Sequence, residues 1–266
     1  MKWTISVSNS LDDFLAFLSN ERDVYALEEL ENHQYRFSKS KAWQPENHTL
    51  GDFRQIEPLK ALFFPAREFI GKWNDRKKRE PLPDRIVFGV KNCDLSSLGI
   101  FDHVFLNGDY PDPYYKEARE KTILVSCDCA SQMDVCFCSA VGEQPFARGG
   151  FDINIAHTAD GYVIEEGSER GGQLLKSAEQ LLEPAPRELL DSLEKQRTER
   201  YEELARQSEQ HGLEPGTDLR AAIETTFESD LWTEFAEDCV ECGACNFICC
   251  TCHCFLLADG HDADGN

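Results

Sequence analysis

Leu11, Phe14, Leu15 and Leu18 fall at helical spacing, and Ser10 or Asn9 stands where a side-chain oxygen can cap that helix. Farther on the period vanishes. Residues 85–90 and 122–126 are short apolar runs suited to buried strands. Asp94 is placed to cap a helix over 95–101, and 114–120 suits another short helix. Pro65 discourages a helix before it and suits the first turn of one after it. Two buried strands separated by helical connections predict a parallel arrangement. Residues 151–156 alternate apolar and polar, Asp160-Gly161 signals a tight turn, and 162–164 form the returning strand.

From Pro186 the pattern is helical. Leu190, Leu193, Tyr201 and Leu204 mark one face among many Glu and Arg, whose spacing fits a solvated face. A second helix carries Leu219, Ile223, Phe227, Leu231 and Phe235 four residues apart, a stripe for core or subunit contact. The fold expected is an α/β amino-terminal domain with a partly parallel sheet over 1–167, followed by a helical, ferredoxin-like iron–sulfur segment over 168–266. Trp3, Tyr35 and Trp43 read as core or interface aromatics. His33 and His48 read as surface or loop histidines, and Lys77 to Arg79 as a solvated basic run.

The second helix delivers the chain into Cys239-Val240-Glu241-Cys242-Gly243-Ala244-Cys245-Asn246-Phe247-Ile248-Cys249. Its C-x2-C-x2-C-x3-C spacing is that of a bacterial ferredoxin-type [4Fe-4S] site, in which the fourth cysteine usually ligates a different cluster. Gly243 permits the tight turn because it lacks a Cβ. The alternatives are buried free thiols or a zinc knuckle. Zinc sites tend to pair two short cysteine units at a distance rather than run three cysteines together. Cys250, Cys252 and Cys254 follow at once. They suit a further cluster, protection of the first, or sulfur chemistry, with His253 a hydrogen-bonding neighbour.

Cys93 and Cys127 each stand directly after a predicted buried strand. In open parallel sheets, ligands gather beyond the carboxyl ends of the strands. The next loop adds Cys129 and Cys136-Phe137-Cys138. Cys93, Cys127, Cys136 and Cys138 can hold a second cluster, leaving Cys129 spare. The alternative is a set of small residues buried at strand ends.

Charge narrows the partners. Among 266 residues, 27 are basic and 49 acidic, a net charge of −22. That opposes binding to nucleic acid or an anionic membrane surface. It fits a solvated surface, or an electrostatic face for a redox partner. Seven of the 12 cysteines lie between Cys239 and Cys254, which favours metal thiolates over a secreted disulfide framework. Asp12 and Asp13 interrupt the first apolar run, so no signal peptide is visible, and no run reaches the length of a membrane span. A reducing cytoplasm is the expected compartment. Neither G-x-G-x-x-G nor a Walker-type loop is present, so the chain itself shows no dinucleotide site.

An ordered set of motifs resembles a known family. The pieces are Pro65-Ala66-Arg67-Glu68-Phe69, Gly89-Val90-Lys91-Asn92-Cys93-Asp94-Leu95, Asp112-Pro113-Tyr114-Tyr115, Cys136-Phe137-Cys138, Gly150-Phe151-Asp152 and residues 239–255. Together they resemble the beta, iron–sulfur subunits of cytoplasmic [NiFe] hydrogenases and sulfhydrogenases, a family that includes the A subunit of anaerobic sulfite reductase. The resemblance covers roughly Pro65 to Phe255. It implies an electron-transfer subunit of a hetero-oligomer, relaying between a flavin/NAD(P)-binding subunit and a catalytic oxidoreductase subunit. It also implies two [4Fe-4S] clusters, since Cys93, Cys127, Cys136 and Cys138 match family cysteines. Family members usually carry proline after the fourth cysteine and a second ferredoxin motif beyond. Here Cys250 takes the proline position and the sequence ends first. That is expected of a fragment, with a third cluster in the whole, or of a shorter relative with one cluster fewer or an intersubunit ligand. Two competing functions are a sulfur-compound or disulfide reductase acting near Cys249 to Cys254, and a structural zinc module.

Overall fold

The computed structural model describes residues 2–5, 10–68, 70 and 80–258. Asn9, Phe69, the basic run at 77–79 and the polar tail from 259 lie outside the described residues.

The chain opens with β1 (Lys2–Ile5) and α1 (Leu11–Leu18), then β2 (Asp23–Glu29) and β3 (Tyr35–Ser40). After a long connection come β4 (Arg85–Val90), α2 (Asn92–Leu106), α3 (Pro113–Glu120) and β5 (Thr122–Cys127). The hairpin β6 (Ile153–Thr158) and β7 (Gly161–Glu166) follows, then α4 (Glu169–Ser177), β8 (Leu182–Pro184) and the long α5 (Arg187–Gln210). Three short helices end the described chain: α6 (Leu219–Thr226), α7 (Leu231–Ala236) and α8 (Ala244–Ile248).

All eight strands join one sheet in the order β3-β2-β4-β5-β6-β7-β1-β8. The central strands β2, β4, β5 and β6 are parallel, and the flanking pairs are antiparallel. The fold is therefore α/β with a mixed, partly parallel sheet. The chain stays with this sheet past Gly167, because β8 pairs with β1.

Every residue of β4 and β5 is buried, as their unbroken apolar runs require. Ile86 and Phe88 face a core with α1, while Val87 and Val90 face a second core with α2 and α3. Strict alternation would put Val90 beside Ile86 and Phe88. The register shift between Phe88 and Val90 absorbs the odd step at Gly89, whose φ of +82° and close approach to the Leu50 carbonyl exclude a side chain.

Ser10 caps α1, and Asp13 completes the reciprocal capping box. Asp112 caps α3, with Pro113 in its first turn. Asp152, buried beside β5, accepts from the Leu124 N–H, the Ser168 hydroxyl and Arg170, tying α4 to the sheet.

Several expectations are corrected. Asp94 lies inside α2, which starts at Asn92, and does not cap it. Its carboxylate accepts instead from Gln55 Nε2 at 2.8 Å and the Leu59 N–H at 3.2 Å. A 3-10 turn at Leu59–Leu62 precedes Pro65, and no helix follows it among the described residues. The turn ends before the proline ring constrains the backbone. His48 is a buried loop residue, packed edge-on to Trp43 and accepting from the Gln44 N–H. The buried stripe of α5 runs through Leu189, Leu193, Arg197, Leu204 and Ser208, so its inner face includes a charge. The single helix expected over 219–235 is two, α6 and α7, and its stripe lies outside the core: Phe235 is 81% exposed. Beyond Gln210 the described chain contains helices and no strand.

Candidate metal centre

The site is built where β4 and β5 end. Lys91 leaves β4 with no exposed surface. Its Nζ donates to the carbonyls of Leu50 (3.1 Å) and Gly51 (2.7 Å) and to Cys127 Sγ (2.8 Å). Three acceptors thus match the three N–H donors of an ammonium. Burial opposes that charge, and the sulfurs of Cys127 and Cys129 outweigh it. The Cys127 thiol also donates to the Leu50 carbonyl at 3.1 Å, and burial raises its pKa.

Two residues on, Cys129 is placed differently. Its N–H donates to the Pro145 carbonyl, and the following N–H groups of Ala130 and Ser131 donate to the Asp52 carbonyl. This folds the loop after β5 against the loop after Leu50. Burial pushes the Cys129 thiol up to about 12, and its electrostatic neighbours are Lys91, Cys93, Cys127 and Cys136.

Cys93, in the first turn of α2, shares a side-chain hydrogen bond with Cys138, and that bond and burial raise it well above the usual thiol value. Cys136, raised by burial, feels Cys93 and Arg54, and its sulfur accepts from the Met133 N–H at 3.3 Å. The far half of α5 holds this loop. Gln207 Nε2 donates to the Met133 carbonyl at 2.8 Å, and Ser139 and Ser208 hydroxyls meet at 2.7 Å. Cys93 is thus hydrogen-bonded to Cys138; Cys93, Cys129 and Cys136 are electrostatic neighbours; and Cys127, bonded to Lys91, is a neighbour of Cys129.

The carboxy-terminal cysteine segment lies against the same edge. Lys60, itself buried, donates to the carbonyls of Asn246 (2.7 Å) and Cys252 (2.8 Å). His253 packs edge-on to Phe101 and Phe105, and Phe255 edge-on to Phe64. Arg54 Nη2 approaches the Ile248 carbonyl at 3.5 Å, the long limit of a hydrogen bond. Cys250, raised by burial, is thereby an electrostatic neighbour of Arg54, Asp94 and Cys93.

Within the segment, Gly243 adopts the left-handed turn at φ 73° that precedes α8. Cys239, Cys242, Cys245 and Cys254 are exposed; Cys249, Cys250 and Cys252 are half-buried. Burial opposes ionisation of Cys249, but hydrogen bonds from Cys252 and Thr251 outweigh it and lower its pKa to about 7. Cys252, the other member of that bond, is raised by it.

Among the described residues, no three His, Cys, Asp or Glu side chains stand close enough to hold a single metal ion. What fits a group here is the donor set and its charge. The Cys93 and Cys138 thiols are bonded to one another, Cys129 and Cys136 are electrostatic neighbours of Cys93, and the buried Arg54 Nε has no hydrogen-bond partner. An unpartnered donor beside thiols suits an anionic sulfur-rich group, and binding such a group displaces the thiol protons.

Lys91, Arg54 and Lys60, and the place of Cys129, were not read from the sequence. Only Lys91 had a signal, its position between a buried strand and a cysteine.

An α/β sheet with cysteines at its carboxyl edge and a cysteine-rich arm docked beside it defines the class. Among described residues, no helix is long and apolar enough to cross a membrane. No family model matches the chain. The chain is similar to Sulfhydrogenase 2 subunit beta of Pyrococcus furiosus, with 29% identity over 230 residues. The match covers 86% of this chain and 66% of that protein, so the chain spans a little under two thirds of the relative's length. The similarity is consistent with the hydrogenase and sulfhydrogenase beta-subunit family.

Proposed function

We propose that the chain is an iron–sulfur electron-transfer subunit of a multi-subunit oxidoreductase of the hydrogenase or sulfur-reductase kind. It relays electrons between a flavin/NAD(P)-handling subunit and a catalytic partner. The observation that carries this reading is the closeness of Cys93, Cys129, Cys136 and Cys138 to the carboxyl ends of the strands, with Cys250 of the arm that Lys60 fastens an electrostatic neighbour of Cys93. The similarity to a protein named as a sulfhydrogenase subunit supports a place in a hetero-oligomer.

Bound iron–sulfur clusters supply one-electron redox chemistry. In this reading Cys93, Cys129, Cys136 and Cys138 hold one [4Fe-4S] cluster. Cys239, Cys242 and Cys245 hold a second, with Cys249, Cys252 and Cys254 available as further thiolates. Lys91 supports the first set from below, and Lys60 holds the second set against it.

The test is iron, acid-labile sulfide and zinc per chain on anaerobically purified protein, with electron paramagnetic resonance after reduction. About eight irons with matching sulfide fits two cubanes. About four leaves one site. Zinc without sulfide overturns the reading in favour of a structural zinc module.

A second reading rests on Cys249, whose sulfur is hydrogen-bonded to Cys252 and lies 3.4 Å from the Thr251 hydroxyl, bonds that favour its thiolate. A thiolate with Cys252 beside it suits reduction of a sulfur compound or disulfide. Turnover of such a substrate by the full chain with an artificial donor would favour that reading; clean inactivity with clusters intact excludes it.

A further inference from the structure

Arg54 lies near Cys93 and Cys136 of the strand-end set and Cys250 of the arm, on the loop that also carries Gln55, Leu59 and Lys60. Gln55 and Leu59 fasten that loop to Asp94, next to Cys93. Lys60 fastens the cysteine-rich arm to the same loop. Arg54 has Asp94, Cys93, Cys250 and Cys136 as electrostatic neighbours. Its Nη2 faces the Ile248 carbonyl, one residue before Cys249. Yet its Nε is buried without a partner, a state shared among buried side-chain atoms of the described residues only with Trp3 Nε1 and Gln55 Oε1. A buried N–H left unmade costs free energy, so its placement among sulfurs calls for an acceptor there.

We infer that Arg54 is a positioning and potential-setting residue of the strand-end site, its free N–H and its charge directed at the sulfur group held there. This rests on the reading that the strand-end thiols hold a cluster. Reduction adds negative charge, and a cation held nearby in a poorly solvated place stabilises the added charge and raises the potential. Lys91 gives all three of its donors to protein atoms and is spoken for; Arg54 has a donor left over.

The experiment compares wild type with Arg54→Lys, Arg54→Gln and Arg54→Met, purified anaerobically as the full chain. Iron and sulfide are counted, and midpoint potentials are read by potentiometric titration of the paramagnetic signals. Cys93→Ser identifies the strand-end signal by its loss. The expected result is unchanged iron, a strand-end potential shifted downward in Arg54→Gln and Arg54→Met, and a potential close to wild type in Arg54→Lys. Equal potentials in wild type and in the neutral variants that retain iron overturn the inference. Should Arg54→Met lose iron, Arg54→Lys against Arg54→Gln decides it by the same criterion. A wild-type protein with no strand-end signal, and no iron lost in Cys93→Ser, instead overturns the cluster reading on which the inference stands.

Discussion

Lys91 and Cys127 meet at 2.8 Å beneath the carboxyl edge of the sheet, ammonium to sulfur, in a place with no exposed Lys91 surface. The contact gives Cys127 an environment of its own. Its sulfur accepts from Lys91, and its thiol donates to the Leu50 carbonyl. Cys129 lacks such fixed partners for its sulfur among the described hydrogen bonds and lies among Cys93, Cys127 and Cys136. The two cysteines therefore separate by substitution. Cys129→Ser is expected to lose about four irons, one cubane's worth. Cys127→Ser keeps them, since a hydroxyl can still accept from Lys91 and donate to Leu50. Iron and sulfide analysis of both variants checks this; the reverse pattern would make Cys127 the ligand, as the sequence motifs imply.

That distinction shows where the sequence stops speaking. The strands β4 and β5, the β6–β7 hairpin and the Ser10 cap are local patterns, and each is legible as written. Cys127 ends β5 and Cys129 follows two residues on in the loop, so the spacing alone does not separate their roles. Lys91, 36 positions before Cys127 in the chain, is what gives Cys127 a hydrogen-bond partner that Cys129 lacks among the described bonds. Arg54 and Lys60 carry no signal in the sequence because their partners in the arm arrive more than 180 residues later. The stripe from Leu219 to Phe235 fits one helix by spacing, but this chain offers it no face to bury. The Ser229 hydroxyl accepts from the Leu231 N–H where the new helix begins.

The cysteine-rich arm makes its own prediction. The arm's cysteines at 239, 242 and 245 are exposed, unlike those of the sheet-edge set. Cys242→Ser is therefore expected to remove about four irons and block electron flow through the complex, while the strand-end signal persists. Electron paramagnetic resonance of the reduced variant checks the loss. Full electron transfer without that cluster would refute the relay.

Lys60 is the fastening between arm and sheet. Two charge-assisted hydrogen bonds to backbone carbonyls contribute about 1.5–3 kcal/mol each at best, less the ordering of the arm. Lys60→Met keeps most of the side-chain volume and removes both. The expected outcome is faster hydrogen exchange and proteolysis within residues 239–258, with exchange in the central strands unchanged. Equal protection of the arm in both proteins would show that the ring contacts of His253 and Phe255 suffice to hold it.

Arg197 holds α5 to the sheet through charge. It is 6% exposed and binds Asp128 through Nε at 2.7 Å and Nη2 at 3.1 Å, and Glu165 through Nη2 at 2.5 Å. Burial would raise the Glu165 pKa, but Arg197 and Lys2 outweigh it and hold it below its ordinary value of 4.5. A carboxylate depressed in the folded state contributes stability that is fully present above the unfolded value. That stability is lost as pH falls through the lower folded value. Thermal stability should therefore drop on acidification below the usual glutamate range. Arg197→Met leaves two nearly buried carboxylates short of their main partner and is expected to cost about 3–5 kcal/mol at neutral pH. It should also flatten the Glu165 part of the acid limb, because the depression that Arg197 supplies is gone. Melting curves of both proteins across that pH range check the two effects together. A variant as stable as wild type at neutral pH, with the same acid limb, would mean that α5 is held by Leu189, Leu193 and Leu204 alone.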